Sequence, residues 1–416
     1  MLVQGTLQLP GDKSISHRAI MLSAIADGVS YVRNLNDGAD LQSTINILRD
    51  CGASIDHKEG EFIINGKQLH SPSKDLDCGN SGTTTRLVAG LLASQKLTFS
   101  LIGDESLSKR PMKRIVTPLK SMGCKISSNN GLLPLSIDAS DGISAIDFDM
   151  KVASAQVKSS ILFSALGGNN VSSINEIIPT RNHSEIMLKH MGASIEREGS
   201  KIIVHPLKSK LMSIDISVPS DPSSAAFFAA LAVINNNSNL KLNNVLLNES
   251  RIGFVEVLNK MNCLISKSNE SVHNGEKVGD LTFSSSNLKA IEVEPEIVPS
   301  IIDEIPILAV VAAFASGTTV FKNVEELKYK ECDRLSAIIH NLKAFGIKAY
   351  EKNNDLFVEG GKVERMPKIT TFDDHRIAMA FTILSLTSFE KYELDNTQCV
   401  DISLPNFFNY LSEITK

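Results

Sequence analysis

Cationic side chains stand at the start of four of the six apolar helices that the sequence predicts. The four segments read Gly11-Asp-Lys-Ser-Ile-Ser-His-Arg18, Gly79-Asn-Ser-Gly-Thr-Thr-Thr-Arg86, Ser154-Ala-Gln-Val-Lys158 and Asp373-Asp-His-Arg376. A helix N-terminus already carries about half a positive charge, so a cation there is electrostatically unfavourable. Any one of these cations could be a solvated surface charge. Free backbone N–H groups, a helix dipole and a nearby cation nevertheless form an anion site together, and their repetition predicts such a site here.

Two carboxylates accompany further cations in patterns that could transfer protons. Asp303 opens an apolar helix in Ser300-Ile-Ile-Asp-Glu304, and Glu331 precedes Arg334 by one predicted helical turn. Without a catalytic role, Asp303 would be a helix cap and the Glu331–Arg334 pair a surface salt bridge worth about 0.3–0.5 kcal/mol. With a catalytic role, Asp303 could accept a hydroxyl proton and Glu331 could exchange one. Arg334 could then bind a carboxylate or a phosphate.

The composition is that of an ordinary globular protein. The 416 residues include 42 Lys and Arg against 47 Asp and Glu, and 42% are hydrophobic. These proportions exclude a disordered or fibrous chain, and the net charge of -5 disfavours a nucleic-acid binder. No apolar run approaches the roughly 20 residues that span a bilayer, and no export signal is evident, so we expect a cytoplasmic protein without a membrane partner. Six scattered cysteines predict reduced thiols, and the nine histidines lack the spacing of metal ligands.

A repeat of about 70 residues runs along the chain. Its marker is a helix end followed by a strand start, as in Leu188-Lys-His-Met-Gly-Ala-Ser-Ile195. The turn residues of the successive copies are Gly52, Gly123, Gly192, Asn262 and Gly346. Glycine, with asparagine as its usual substitute, is what a left-handed helix C-cap requires. Each repeat is therefore predicted to contain an amphipathic helix, its cap and a β-strand.

Six almost wholly apolar helices recur in phase with this repeat. They are predicted at 15–26, 83–92, 156–166, 223–233, 303–313 and 375–386. Because a helix that is apolar on every face must be surrounded by protein, we predict an α/β fold with buried parallel helices and outer sheets. The six repeats predict two domains of three repeats each, 1–11 plus 220–416 and 12–219, with the N-terminal strand completing the last repeat. The anion site would lie in the interdomain cleft, where converging helix N-termini focus positive potential.

Seven motifs, in order along essentially the whole chain, resemble the 5-enolpyruvylshikimate-3-phosphate synthase (3-phosphoshikimate 1-carboxyvinyltransferase) family. They are Gly-Asp-Lys-Ser-x-Ser-His-Arg from Gly11, Gly-Asn-Ser-Gly-Thr-Thr from Gly79, Lys-Arg-Pro-Met from Lys109, Ser-Ala-Gln-x-Lys from Ser154, Arg-x-His-x-Glu from Arg181, Lys-Glu-x-Asp-Arg from Lys330 and Asp-His-Arg from Asp374. Three of them resemble the second, often glyphosate-tolerant, class of this family.

The resemblance implies a fold, a reaction and its substrates. The fold would be a pair of inside-out α/β barrels, each with three βαβαββ-type repeats. The reaction would transfer the enolpyruvyl group of phosphoenolpyruvate to the 5-hydroxyl of shikimate 3-phosphate through a tetrahedral intermediate, releasing phosphate. It would need no metal and no organic cofactor, and the family expectation is a monomer.

The resemblance also implies roles for individual residues. Those implied to bind shikimate 3-phosphate are Lys13, Ser14, Arg18, Ser154, Ala155, Gln156, Arg181, Asp303 and Lys330. Those implied to bind phosphoenolpyruvate are Lys13, Gly82, Arg110, Gln156, Arg334 and Arg376. The implied catalytic residues are Lys13, Asp303, which would take the 5-hydroxyl proton, and Glu331, which would serve the methylene carbon. His183, Glu326 and Ile402 differ from the first class of the family, and no role is assigned to them.

Three other functions fit parts of this pattern. The sister transferase that acts on UDP-N-acetylglucosamine typically has Asn after the lysine and a catalytic Cys in the loop, whereas this chain has Ser14 and no Cys in 103–110. A non-catalytic anion-binding protein on the same scaffold would not need Asp303 and Glu331. A nucleic-acid-processing relative of the barrel is disfavoured by the charge balance.

Overall fold

The computed structural model describes Met1–Thr415, and the chain divides into two compact units. Unit A is Lys13–Val218, and unit B joins Met1–Asp12 to Pro219–Lys416. The helices are α1 (Lys13–Ile25), α2 (Ala39–Asp50), α3 (Gly82–Ser94), α4 (Glu105–Ser108), α5 (Lys113–Ser121), α6 (Ala155–Leu166), α7 (His183–His190), α8 (Pro222–Ile234), α9 (Gly253–Lys260), α10 (Val298–Ile301), α11 (Ile305–Ala313), α12 (Arg334–Ala344), α13 (His375–Phe389) and α14 (Phe407–Ile414). Single 3₁₀ turns lie at Glu325–Tyr329 and Gln398–Ile402.

The strands are short and recur in sets of four. They are β1 (Gln4–Gln8), β2 (Val29–Arg33), β3 (Ser54–Lys58), β4 (Glu61–Asn65), β5 (Leu76–Asp77), β6 (Thr98–Ile102), β7 (Lys125–Asn129), β8 (Leu132–Asp138), β9 (Asp147–Met150), β10 (Ser172–Glu176), β11 (Ile195–Glu198), β12 (Lys201–Val204), β13 (Asp215–Ser217), β14 (Asn239–Leu246), β15 (Leu264–His273), β16 (Glu276–Ser284), β17 (Glu292–Val293), β18 (Thr318–Phe321), β19 (Ala349–Lys352) and β20 (Asp355–Glu359).

Every sheet in the described residues follows one plan. Unit A has three sheets with the orders β13-β2-β4-β3, β5-β6-β8-β7 and β11-β12-β10-β9, and unit B has β1-β14-β16-β15 and β17-β18-β20-β19. In each sheet an edge strand pairs in parallel with the strand that follows the apolar helix, and an antiparallel hairpin completes the four. Strand β2 alternates exposed and buried residues, as expected for a sheet with one face in water.

The six apolar helices are the cores of the two units. Helices α1, α3 and α6 of unit A and α8, α11 and α13 of unit B are buried along nearly their whole length, which confirms the predicted helices. Helix α8 shows why such a segment starts where it does. Asp221 accepts a hydrogen bond from the Ser223 backbone N–H at 2.7 Å, and Pro222 occupies the first helical position. Both features favour a helix start.

The predicted left-handed caps are confirmed at all five repeat turns. The φ angles of Gly52, Gly123, Gly192, Asn262 and Gly346 are +91°, +98°, +89°, +71° and +90°. Asn262 is the one residue of the five with a side chain, and its Nδ2 donates a hydrogen bond to the Asn287 carbonyl at 3.0 Å.

The prediction that the N-terminal strand completes the last repeat is wrong. Strand β1 pairs in parallel with β14, from Gln4 beside Asn239 to Gln8 beside Asn243, so it completes the first repeat of unit B. Up to Thr415, where the described residues end, the last repeat forms no four-stranded sheet that β1 could complete. It contains a single parallel bridge between Ile369 and Leu394 and then ends in α14, which lies beside the N-terminal segment and is joined to it by a Val3–Thr415 bridge.

The predicted start of the fifth apolar helix, at Asp303, is also wrong. Helix α11 begins at Ile305, and Asp303 lies in the turn that separates it from α10. Pro306 stands in the first turn of α11, where its missing N–H is tolerated and its fixed φ angle favours a helix start. Asp303 is therefore a turn residue ahead of the helix, with its carboxylate only partly exposed.

All six cysteines are free thiols, and burial is the main cause that raises the pKa of Cys51 and of Cys78 to about 12. Along Met1–Thr415, no helix has both the length and the apolarity that crossing a bilayer requires.

Candidate active site

The N-terminal turns of α1, α3 and α6 meet in unit A. Gln156, the second residue of α6, donates to Thr83 Oγ1 of α3 at 3.0 Å and accepts from Arg86 Nη1 at 2.6 Å. Arg18 of α1 donates to Ser159 Oγ of α6 at 2.7 Å. Three helix N-termini and their cations therefore lie together in this unit, as an anion site requires.

Lys13 is held by a carboxylate that the sequence did not reveal. It is the first residue of α1, and its Nζ lies 3.1 Å from Asp40 Oδ2. Asp40 stands in the first turn of α2, and its carbonyl accepts a hydrogen bond from Thr84 Oγ1 at 3.2 Å. An acidic residue in the first turn of a helix is common and stabilising, so the sequence pattern gave no reason to single Asp40 out.

Gly82 lies beneath two guanidinium groups. It is the first residue of α3, and a Cβ atom at this position would lie 2.6 Å from Arg86 Nη1 and 3.4 Å from Arg110 Nη1. Arg110 is buried, and its Nη2 donates to Asn80 Oδ1 at 2.9 Å. The absence of a side chain at Gly82 keeps the backbone N–H groups of α3 close to both cations.

The residues implied to bind shikimate 3-phosphate all lie in unit A, apart from Asp303 and Lys330. Arg18 Nη1 donates to the Ser14 carbonyl at 2.8 Å, and Arg18 Nε donates to Ser184 Oγ at 2.7 Å. Ser154 caps α6 by accepting from the Val157 backbone N–H at 3.3 Å, and Ala155 is the first residue of the helix. Arg181 is half-buried in the loop that precedes α7.

Lys158 is not one of the anion-binding cations that its position at a helix start predicted. Its side chain is fully buried, and Nζ lies 2.8 Å from Glu176 Oε1 and 2.8 Å from Glu185 Oε1. A buried ammonium is stable only when carboxylates compensate it, and these two do so.

In unit B, Arg334 joins three carboxylates. Its side chain is 1% exposed, and Nη2 donates to Glu331 Oε2 at 2.5 Å. Nη1 donates to Asp303 Oδ1 at 3.2 Å, and Nε donates to Asp374 Oδ2 at 2.8 Å. Burial alone would lower the pKa of Arg334, but the three carboxylates outweigh it and raise that pKa, so the guanidinium stays charged.

Two further cations of unit B, Lys330 and Arg376, also contact Asp303. Lys330 Nζ lies 3.7 Å from Asp303 Oδ1, and Arg376 Nη1 donates to the Asp303 carbonyl at 3.0 Å. Asp374 caps α13 by accepting from the backbone N–H of Arg376 at 2.8 Å. Lys330, Arg334 and Arg376 are thus each in contact with an acidic residue of unit B. The sequence pattern indicated only that Asp374 precedes His375 and gave no sign of its contact with Arg334.

His183, Glu326 and Ile402 lie in three different local settings. His183 is buried as the first residue of α7, Glu326 is half-buried in the first 3₁₀ turn, and Ile402 is half-buried at the end of the second. We assign no role to them.

His17 is a buried imidazole that lies close to two of the cations of unit A. Its Nδ1 lies 2.8 Å from Thr44 Oγ1, which in turn lies 2.8 Å from Thr84 Oγ1. Burial is the main cause that lowers the pKa of His17 well below 6.5, and the charges of Lys13 and Arg18 lower it further. The imidazole is therefore neutral in the folded protein.

This neutrality predicts a loss of stability in acid. Above pH 6.5 His17 is neutral in both the folded and the unfolded chain, so it contributes no pH dependence. Below that pH only the unfolded chain binds the proton, and the free energy of unfolding should fall by up to about 1.4 kcal/mol per pH unit from this group. We expect a His17→Gln variant to show a smaller loss between pH 7 and pH 5 in urea unfolding. Equal losses in the variant and the wild type would contradict this role, and His57→Gln, which changes an exposed ring, is the control.

The fold belongs to a known class of transferase. The enolpyruvyl transferase NikO from Streptomyces tendae superposes with a TM-score of 0.78 over 99% of this chain and 95% of its own, at 14% sequence identity. At that identity the likeness establishes the fold alone. EPSP synthase from Acinetobacter baumannii superposes with a TM-score of 0.88 at 37% identity, covering 99% of this chain and 96% of its own.

The sequence comparisons show the family. Residues 2–411 match the family model described as EPSP synthase (3-phosphoshikimate 1-carboxyvinyltransferase). Relatives named 3-phosphoshikimate 1-carboxyvinyltransferase include one from Clostridium tetani, 42% identical over 99% of this chain and 94% of its own length. Another, from Sulfurihydrogenibium sp., is 43% identical over 100% of this chain and 98% of its own. The chain belongs to the EPSP synthase family, and the predicted fold class and family are confirmed.

Proposed function

We propose that the protein transfers the enolpyruvyl group of phosphoenolpyruvate to the 5-hydroxyl of shikimate 3-phosphate and releases phosphate. The observation that carries this function is the match of residues 2–411 to the EPSP synthase family, with all seven motifs present. The activity makes the protein a transferase of aromatic amino acid biosynthesis. We further propose that it acts on these two small molecules as a cytoplasmic monomer.

Unit A supplies most of the binding of shikimate 3-phosphate in this proposal. Its phosphate and ring are held by Arg18, by Arg181 and by the start of α6. The residues that contribute from α6 are Ser154, Ala155 and Gln156. Support comes from Arg18, which already contacts Ser159 of that helix. At an effective dielectric constant of 20, one charge pair at 4 Å is worth about 4 kcal/mol, so several cations and helix N-termini are needed to hold a multiply charged anion. Ser14 and Lys13 complete the set at the start of α1.

The residues assigned to phosphoenolpyruvate in this proposal are found in both units. They are Lys13, Gly82, Arg110 and Gln156 in unit A, and Arg334 and Arg376 in unit B. Arg110 and the N-terminus of α3 at Gly82 are already adjacent, which supports a shared ligand for these two. Arg334 and Arg376 are both bonded to Asp303, so they place a guanidinium pair next to a carboxylate that can accept a proton.

The chemistry is an addition followed by an elimination. The 5-hydroxyl oxygen of shikimate 3-phosphate forms a bond to C2 of phosphoenolpyruvate while Asp303 takes the hydroxyl proton. Glu331 delivers a proton to C3, which becomes a methyl group in the tetrahedral intermediate. The bond from C2 to the phosphate oxygen then breaks, and the phosphate leaves with the proton that Asp303 had taken. Glu331 recovers a proton from the methyl group as the double bond re-forms. Lys330 lies beside Asp303, and the fixed cations stabilise the developing charge.

The test is phosphate release from phosphoenolpyruvate with each candidate acceptor. We expect release with shikimate 3-phosphate and background release with UDP-N-acetylglucosamine. Release with the sugar nucleotide alone would overturn the assignment in favour of the sister transferase. Binding of both anions without any release would favour the non-catalytic protein.

A further inference from the structure

A buried ion network lies behind the shikimate 3-phosphate residues of unit A. Lys158 Nζ lies 2.8 Å from both Glu176 Oε1 and Glu185 Oε1, and Arg197 Nη1 lies 2.9 Å from Glu176 Oε2. The side chains of Lys158 and Glu176 are completely buried. Two cations balance two carboxylates, so the network carries no net charge and leaves neither cation available for a substrate anion.

Each member of the network lies on a different element. Lys158 is on the first turn of α6, Glu176 ends β10, and Glu185 is on the first turn of α7. Burial by itself would raise the pKa of Glu176. The charge of Lys158 and the hydrogen bonds from Lys158, Thr180 and Arg197 reverse this and lower the pKa, so the carboxylate is ionised. The ammonium of Lys158 therefore joins the end of a strand to the start of the next helix.

The chain between that strand and that helix is the loop 177–182, which carries Arg181. Glu176 Oε1 accepts from the Thr180 backbone N–H at 3.0 Å and from Thr180 Oγ1 at 2.5 Å. Lys158 Nζ also donates to the Thr180 carbonyl at 3.4 Å. The residue directly before Arg181 is thus fixed through its N–H, its hydroxyl and its carbonyl. At the other end of the loop, Ile177 is 71% exposed, so the buried contacts of the loop are concentrated next to Arg181.

The neighbours of the network residues hold the second arginine. Ser159 follows Lys158 and Ser184 precedes Glu185, and the two hydroxyls lie 2.7 Å apart. Both accept from Arg18, Ser184 from Nε at 2.7 Å and Ser159 from Nη2 at 2.7 Å. The Lys158–Glu185 ion pair fixes the distance between α6 and α7. It therefore also fixes the positions of the Ser159 and Ser184 hydroxyls, which orient Arg18.

We propose that Lys158, Glu176 and Glu185 are positioning residues, which act through Arg18 and Arg181 to preorganise the binding of shikimate 3-phosphate. This inference rests on the proposed function. The arginines that the network positions, Arg18 and Arg181, are assigned to shikimate 3-phosphate alone. Gly82 and Arg110, which are assigned to phosphoenolpyruvate, lie at the start of α3 and between α4 and α5, outside the elements that carry the network. Its loss should therefore affect one substrate and spare the other, because a displacement of about 1 Å in a charged ligand group can cost as much as about 100-fold.

The test compares two variants with the wild type in steady-state kinetics. Lys158→Met keeps the length of the side chain but leaves the carboxylates without their ammonium. We expect KM for shikimate 3-phosphate to rise by about tenfold or more, with KM for phosphoenolpyruvate changed by less than about threefold. Lys201→Met is the control, since Lys201 begins β12 and forms only an exposed pair with Asp147 at 3.6 Å.

A second variant separates positioning from folding. Lys158→Met with Glu185→Gln removes one charge of each sign and keeps the Glu176–Arg197 pair, so thermal stability should recover relative to Lys158→Met. The link between α6 and α7 is still absent, so the raised KM for shikimate 3-phosphate should persist. A wild-type KM in this double variant, or equal rises in both KM values, would overturn the positioning role. A wild type without turnover of shikimate 3-phosphate would instead overturn the proposed function.

Discussion

Asp303→Asn and Glu331→Gln are each expected to lower kcat by about 10²–10⁴-fold while both substrates still bind. The amides keep the size of the acids and can still accept a hydrogen bond from Arg334, which contacts both carboxylates. They cannot take up the 5-hydroxyl proton or exchange a proton with C3. Substrate dissociation constants from calorimetry, set beside kcat, measure the two effects separately.

Glu325→Gln is the matched control for these two variants. Glu325 is an exposed acid in the 3₁₀ turn six positions before Glu331, and nothing places it in the site. We expect wild-type kcat from it. If Asp303→Asn or Glu331→Gln also retained wild-type kcat with unchanged stability, that carboxylate would have no catalytic role.

Arg334→Ala is expected to damage both phosphoenolpyruvate binding and folding. Its removal leaves Asp374, which is fully buried, without the guanidinium, and breaking a buried ion pair in this way costs roughly 3–5 kcal/mol. The same change removes a charge that we assign to phosphoenolpyruvate. KM for phosphoenolpyruvate should therefore rise by about tenfold or more in the fraction that folds, with urea unfolding recording the loss of stability.

Two comparisons isolate the charge from the packing in that experiment. Arg334→Lys keeps the charge but not the forked geometry, so it should retain more stability than Arg334→Ala and still bind phosphoenolpyruvate poorly. Arg33→Ala removes an arginine whose partners, Glu61 and Asp215, are on the exposed face of a sheet, and should have a much smaller effect. An unchanged KM for phosphoenolpyruvate in Arg334→Ala would contradict the assigned role.

The features that the sequence predicted well are those with a local cause. An αL cap depends on one residue and its two neighbours, so Gly52 and Asn262 marked helix ends without any tertiary information. A fully apolar helix such as α8 can only be a core helix, so its burial followed from composition. The seven motifs identified the family because they occur in order along the whole chain.

The features that were missed depend on tertiary pairing. Strand β1 pairs with β14 because that edge is open, whereas the last repeat ends in a helix, and neither fact is visible in the five residues of β1. Lys158 and Arg86 occupy similar positions in their helices. Lys158 forms structural ion pairs because Glu176 and Glu185 approach it in the folded chain. Arg86 instead donates a hydrogen bond to Gln156. The roles implied for the site residues and the glyphosate-tolerant class stay predictions.

One labelling experiment tests the central claim most directly. The protein is incubated with shikimate 3-phosphate and phosphoenolpyruvate carrying ¹³C at its three carbons, and the products are resolved by NMR and mass spectrometry. The account predicts a labelled enolpyruvyl ether on the 5-oxygen of shikimate 3-phosphate, with one phosphate released for each ether formed. Phosphate released together with free labelled pyruvate, and no ether, would contradict it.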